Sequence, residues 1–376
     1  MTAGPIVLAA GGTGGHMFPA EALARELVAR GKPVTLMTDE RGQAFQDRFP
    51  GASVQRIRSG RMGGGVIAKL MGLADVALGI LEARRRLRAI RPLGVVGFGG
   101  YPSVPPLMAA QRMGLPTVLH EQNALLGRAN RLLAPRSRRI ATSFPEVVGL
   151  REQDRTKVSE TGNPVRPTVA AMRGRPYPAL ASDKPIHLLV LGGSQGARIM
   201  SEVVPGALAR LPDGLRARLR VSQQARPEDL EAAQAIYRSR GIAAELASFF
   251  DDVPERLAQA HLVIARSGAS TVAELTTVGR PAILVPYPHA ADDHQTANAR
   301  ALDTAGAAWL VPQPAFNSEA LADQIAWLLA APPLLMKAAG AAFDLGQPEA
   351  SARLADLVLA TFAAKNGAPH PLEKAA

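Results

Sequence analysis

The chain has 376 residues, 47% of them hydrophobic, so it is too long for one typical core and two domains are expected. It has no cysteine, which excludes a disulfide framework, a Cys-held metal and a Cys nucleophile, and which suits a reducing compartment. The net charge of +11 calls for an anionic partner such as nucleic acid, an acidic lipid surface or a phosphorylated substrate, while an aromatic content of 4% argues against single-stranded nucleic acid.

The N-terminus, Met1-Thr2-Ala3-Gly4-Pro5, lacks the basic region of a signal peptide. No apolar run approaches the roughly 20 residues of a membrane span, so a soluble, cytoplasmic protein is expected. An apolar run over 6–10 then leads into Gly11-Gly12-Thr13-Gly14-Gly15-His16 and an Ala/Leu-rich amphipathic segment over 20–30. Strand, glycine turn and helix, in that order, aim backbone N–H groups at an anion. His16 adds a titratable group beside them.

This loop departs from the dinucleotide fingerprint, because Met17 stands where the third glycine belongs. Asp39 is placed where a ribose-binding acid would sit, so a dehydrogenase is the runner-up from this half alone. The Walker pattern is missing, which removes a P-loop NTPase.

Further strands are expected over 34–37, 53–57, 95–98, 117–119 and 139–141, alternating with helix-length segments as in a parallel sheet. Between them, the segment 63–91 places Val66, Ile67, Leu70, Leu73, Val76, Ala77, Ile80 and Leu81 at helical spacing, followed by Arg84, Arg85, Arg86, Arg88 and Arg91. Apolar residues rimmed by arginine suit an anionic membrane surface, and a core-facing helix with a basic end is the competing reading. A second glycine cluster, Gly97 to Ser103, fits either an anion site or a tight turn with Pro102 at a helix start. His120-Glu121-Gln122-Asn123 follows a strand end, where open sheets place ligand groups, and Asn123 can both donate to and accept from a sugar hydroxyl.

Glycines and prolines gather over 161–185, the best linker in the chain. The opening theme then returns: a strand over 187–191, the turn Gly192-Gly193-Ser194-Gln195-Gly196-Ala197-Arg198, and a helix over 199–210. Ser194 and Arg198 beside a helix N-terminus make a diphosphate cradle. Strands over 219–221, 243–246, 262–265, 282–285 and 307–311 follow, and a last helix over 349–362. Two successive Rossmann-like units would leave a cleft for a ligand. Ser270 and Glu274 share one face of a helix that opens on small residues, and that carboxylate could accept from a ribose diol. His289, Asp292, Asp293 and His294 fit no standard metal spacing, and no metal is expected.

Together these stretches resemble the MurG family of peptidoglycan glycosyltransferases, in glycosyltransferase family 28. The matching text is Ala10 to His16, Gly99 to Ser103, Leu119 to Asn123, Gly162 to Arg166, Gly192 to Arg198, and Arg266 to Ala269 on to Glu274, in the family's order. The resemblance implies an α/β GT-B fold, two Rossmann-like domains with parallel sheets facing across a cleft. It implies an acceptor and membrane-docking domain over 1–163, a UDP-GlcNAc-binding domain over 164–346, and a helix over 347–376 crossing back to the first. It implies inverting transfer of GlcNAc from UDP-GlcNAc to the C4 hydroxyl of lipid I, giving lipid II and UDP, with no cofactor. It also implies a peripheral place on the anionic cytoplasmic face of the inner membrane, within cell-wall synthesis, and no nucleic-acid partner.

By position, Thr13, Gly14, Gly15, Asn123, Arg166, Ser194, Ala269, Ser270, Thr271, Val272, Ala273, Glu274 and Gln295 match the family's donor-binding positions. Phe250 matches a position whose backbone reads uracil. His294 precedes Gln295 where some members have a second Gln. Ser194 and the helix N-terminus at Gly196 would hold the diphosphate, leaving the first loop for the acceptor, with His16 as general base. A nucleotide-sugar epimerase of the same fold and a basic nucleic-acid-binding protein are the alternatives.

Overall fold

The computed structural model describes residues 4–11, 14–43, 46–60, 66–193 and 197–364, and only the backbone of 43, 46, 66–70 and 73. Thr13 and Ser194 therefore lie outside the described residues, as do the side chains of Val66, Ile67, Leu70 and Leu73. The chain divides into two compact units, Met1–Arg166 with Glu349–Ala376, and Pro167–Pro348.

The first unit is built on seven parallel strands: β1 (Ile6–Ala9), β2 (Val34–Thr38), β3 (Ala52–Arg56), β4 (Gly94–Gly97), β5 (Thr117–Glu121), β6 (Arg139–Thr142) and β7 (Val158–Glu160). Their order is β3-β2-β1-β4-β5-β6-β7, with Ile6 level with Val34 on one side and Gly94 on the other. The central strands are continuous apolar runs because helices cover both sheet faces. Ile6 and Leu8 pack with Leu23 and Leu27 of the helix Gly14–Ala29 and with Leu354 and Val358 of the helix Ala350–Ala363. Val7 and Ala9 point the other way, towards Leu107, Ala83 and Leu87. The C-terminal helix lies so close that a Cβ on Gly94 would fall 2.5 Å from the Phe362 ring. Fully burying Leu354, Val358 and Phe362 stabilises the unit by about 2 kcal/mol each. β7 goes beyond the sequence expectation, because Val-Ser-Glu at a half-exposed edge carries no apolar signal.

The second unit has six parallel strands: β8 (Ile186–Leu191), β9 (Leu219–Gln224), β10 (Ala243–Ala247), β11 (Leu262–Ala265), β12 (Ala282–Leu284) and β13 (Ala308–Leu310), ordered β10-β9-β8-β11-β12-β13. Ile186, Leu188 and Val190 pack with Met200, Val204 and Leu208 of the helix Arg198–Arg210 and with Ile325. Much of the expected linker is pinned to this unit. The buried Arg280 donates to the carbonyls of Leu257, Ala258, Val278 and Gly279 and, 3.2 Å away, of Pro176. Arg173 lies 3.7 Å over the Phe343 ring and donates to the Thr277 and Phe343 carbonyls.

Among the described residues no single helix is long and apolar enough to cross a membrane. The helix Val66–Ile90 corrects the expected apolar face. Its buried side carries Gly72, Gly79, Ala83 and Leu87, with Val76 and Ile80 half-buried against the core. A Cβ on Gly79 would fall 2.3 Å from the Arg58 carbonyl oxygen, so small residues set the contact. Three bulky residues are turned outward: Met71 is 65% exposed, Leu78 49% and Leu81 62%, with Ala74 and Ala77 between them. Arg84, Arg85 and Arg88 continue the exposed surface.

Candidate active site

In the first unit β1 lies between β2 and β4, so the winding of the sheet reverses there. Loops that leave the carboxyl ends of strands at such a switch point diverge and open a crevice. The two loops are those expected from the glycine clusters. A Cβ on Gly11 would sit 2.7 Å from Pro102 Cβ and 2.8 Å from Asp39 Oδ1, so only glycine lets them meet. Gly99 and Gly100 adopt φ of +79° and +70°, open to glycine at little cost. The His16 ring lies against them, with Cδ2 3.1 Å from where a Gly100 Cβ would be. The second cluster thus makes a turn and also makes room for the imidazole. Gly14 and Gly15 form the first turn of the helix Gly14–Ala29, earlier than the Ala/Leu-rich run indicated.

The end of β5 supplies a buried polar layer. Glu121 accepts from the backbone N–H of Asn123 at 3.1 Å and of Gly127 at 2.9 Å, and from the Asn130 side chain at 2.8 Å. The Asn123 side-chain nitrogen also donates to Glu121, at 3.2 Å, which orients that half-buried amide. His120 and Gln122 are buried beside it, and Gln122 reaches His16 at 3.2 Å. Arg166 lies 5.8 Å over the Phe18 ring, next to the first loop. Asp39 has another task than ribose binding: it accepts from the Gly42 N–H at 2.9 Å and pairs with Arg41, capping the short helix Glu40–Gln43.

The second unit repeats the reversal at β8, between β9 and β11. The turn after β8 starts at Gly193, with φ +85°. Arg198, exposed at the start of its helix, pairs with Glu202 one turn along. After β11, Gly268 enters the helix Ala269–Val278 in extended conformation, and a Cβ there would meet nothing within 4 Å. Ser270 Oγ is buried just inside this open helix N-terminus and has no hydrogen-bond partner among the described residues. Such a hydroxyl costs about 1–3 kcal/mol until a ligand or water satisfies it. Thr271, Ala273 and Glu274 are half-buried, whereas Ala269 and Val272 are buried apolar residues that can offer only backbone.

Several side chains of this unit are held by hydrogen bonds, and Arg256 is one that sequence reasoning missed. Arg266 donates to the carbonyls of Val285 and Pro286 and to Gln313, and burial lowers its pKa. Gln295 accepts from the Tyr287 N–H at 2.9 Å, and its carbonyl accepts from Ser267 at 2.8 Å. His294 Nδ1 donates to the Ala291 carbonyl, and Asp292 and Asp293 are held at φ of +53° and +56°, a strained turn beside the site. Phe250 is buried under Arg256, whose guanidinium lies 4.1 Å from the ring centroid. Glu245, Asp252 and Ser222 all accept from Arg256, which fixes it over the ring. No sequence pattern marks Arg256, because its partners come from β9, β10 and the following turn.

A cavity of about 570 Å³ lies elsewhere, lined by His187, Arg220, Ala243 and Arg256. Its lining includes the first residues of strands, away from the carboxyl ends where the switch points open. Among the described residues no three His, Asp or Glu side chains gather as a metal site would need.

Two Rossmann-like units, each with a switch point at its central strand, make up the GT-B architecture. The glycosyltransferase family 28 N-terminal domain matches residues 6–142 and its C-terminal domain matches residues 187–354. A UDP-N-acetylglucosamine–N-acetylmuramyl-(pentapeptide) pyrophosphoryl-undecaprenol N-acetylglucosamine transferase of Rhodospirillum centenum is 56% identical over 371 residues, 99% of this chain and 98% of its own. The crystal structure of Acinetobacter baumannii MurG aligns with a TM-score of 0.77 at 31% identity, covering 95% of this chain and 99% of that one. A UDP-GlcNAc 2-epimerase from Neisseria meningitidis, 14% identical with a TM-score of 0.64 over 94% of this chain and 99% of that one, shares the fold alone. The chain belongs to glycosyltransferase family 28 and, within it, to the MurG enzymes.

The buried layer leaves a signature in stability. Burial holds the His120 imidazole neutral, with its pKa lowered to about 4 from 6.5. The unfolded chain takes up this proton near pH 6.5 and the folded chain only near 4, so stability is full above 6.5 and falls as pH drops towards 4. The loss from this group is on the order of 3 kcal/mol. Urea unfolding at pH 7 and pH 4.5 should show it in the native enzyme and a clearly smaller loss in His120→Gln; equal losses would contradict the assignment.

Proposed function

We infer that this hexosyltransferase moves GlcNAc from UDP-GlcNAc to the C4 hydroxyl of lipid I, forming lipid II and UDP in peptidoglycan synthesis. The observation that carries the reading is the difference between the two switch points. The first offers an imidazole beside a glycine loop. The second offers a helix N-terminus with a buried hydroxyl that has no partner among the described residues. A proton acceptor suits an attacking alcohol, and N–H dipoles suit a leaving diphosphate.

In this mechanism the acceptor O4 attacks C1 of GlcNAc from the face opposite the diphosphate. The new O–C1 bond forms as the C1–O bond to phosphate breaks, the electron pair leaves with UDP, and the hydroxyl proton passes to His16. Inversion at C1 follows. Ser270, Thr271, Ala273, Glu274 and Gln295, with the backbone at Ala269, Val272 and Phe250, are the proposed donor contacts. By their place in the motifs, Thr13, Gly14, Gly15, Asn123, Arg166 and Ser194 join them. The division into an acceptor domain over 1–163, a donor domain over 164–346 and a returning helix over 347–376 belongs to the same proposal.

Membrane docking on the cytoplasmic face is supported by the outward stripe Met71, Leu78 and Leu81 with Arg84, Arg85 and Arg88. Such a surface sinks apolar groups among lipid headgroups while arginines meet anionic phosphates.

Labelled GlcNAc should appear on a lipid I analogue with one UDP released per transfer, and His16→Ala should lower kcat by about 10²- to 10⁴-fold with little change in donor KM. Turnover of UDP-GlcNAc without acceptor would instead favour an epimerase. For the membrane, Met71→Glu/Leu78→Glu/Leu81→Glu should abolish sedimentation with anionic vesicles and keep activity on a soluble acceptor; undiminished sedimentation would remove the docking reading.

A further inference from the structure

His120 and Gln122, both buried at the end of β5, have no part in the chemistry so far. They form a hydrogen-bond chain whose direction is fixed by carbonyl groups, which only accept. His120 Nε2 lies 3.1 Å from the Gly162 carbonyl oxygen, so Nε2 carries the proton and Nδ1 the lone pair. The Gln122 side-chain nitrogen lies 3.0 Å from the His120 carbonyl oxygen and 2.9 Å from His120 Nδ1, and donates one N–H to each. The reversed amide would press its oxygen against a carbonyl oxygen and a lone pair.

The amide oxygen of Gln122 therefore faces His16 Nδ1, at 3.2 Å. An amide oxygen accepts, so His16 Nδ1 must donate. A neutral imidazole has one ring proton, which leaves the basic lone pair of His16 on Nε2. That nitrogen lies towards the glycine loop, 3.3 Å from where a Gly100 Cβ would be.

We propose that Gly162, His120 and Gln122 form a tautomer lock that holds His16 with its proton on Nδ1 and its lone pair on Nε2, making His120 and Gln122 positioning residues for the transfer. The hydrogen bond at one imidazole nitrogen decides which form the other takes. Free imidazole side chains favour the proton on Nε2, which would point an N–H at the acceptor hydroxyl where a base is needed. The lock needs a neutral His120, since a protonated ring could not accept from Gln122; burial supplies that.

The inference rests on His16 as the base, and its test separates the two. Full-length enzyme labelled with 15N-histidine has seven such residues, and the His16 signals are those missing from His16→Ala. At a pH where the ring is neutral, His16 should show a protonated Nδ1 and an unprotonated Nε2, and His120 the reverse. Gln122→Met should move His16 towards the Nε2–H form and lower kcat about 10- to 100-fold, with donor KM unchanged. A His16 protonated on Nε2 in the native enzyme, or an unmoved tautomer in Gln122→Met, would overturn the lock. If the lock is observed but His16→Ala keeps its kcat, the base reading fails and the catalytic role of the lock falls with it.

Discussion

A parallel sheet wound outward in both directions from a central strand must open where the winding reverses. Adjacent crossover helices there leave on opposite faces, so the carboxyl ends of two neighbouring strands are left uncovered. This protein meets that constraint twice, between β1 and β4 and between β8 and β11. His16 and Ser270 lie on the segments that β1 and β11 feed, and Asn123, Arg166, Phe250 and Gln295 follow other strands of the same two sheets. The strands themselves contribute only stiffness, as continuous apolar runs packed on both faces.

What distinguishes the two openings is the polar material behind each. Behind the first lies a dense network: Glu121 accepts from three backbone or amide donors and Gln122 links His120 to His16, while Asn130 Oδ1 has no partner among the described residues. Such a network is rigid because each broken bond would strand a buried polar group. Behind the second, arginines do the bracing, Arg266 through carbonyls and Arg256 through carboxylates over Phe250. Among the described residues nothing comes within 4 Å of a Cβ built on Gly268, ahead of the helix Ala269–Val278, and Ser270 Oγ has no partner. The first opening orients a side chain; the second presents a helix N-terminus.

Much of this was legible in the residues. Glycine clusters after apolar runs located both openings, because strand, tight turn and helix demand residue types that little else demands. Other features were hidden by physical ambiguity. Asp39 and Arg198 have the right types for ligand contacts, but a helix cap and an i,i+4 ion pair use the same types. On the helix Val66–Ile90 the buried side joins Gly72 and Gly79 to Val76, Ile80, Ala83 and Leu87, while Ala77 and Leu81 of the expected apolar face are exposed, and spacing alone did not separate the two sides. The role of Gln122 depends on residues 16, 120 and 162 meeting in space, which no local pattern records.

The central claim is that the donor's nucleotide binds at the second switch point, with the attacking hydroxyl beside His16 at the first. Hydrogen exchange of the full-length enzyme with and without UDP tests this most directly. UDP alone should protect backbone amides over 268–274, at the open helix N-terminus, and leave those over 97–103 unchanged. Protection of 97–103 with 268–274 unaffected would place the nucleotide at the first switch point and contradict the account.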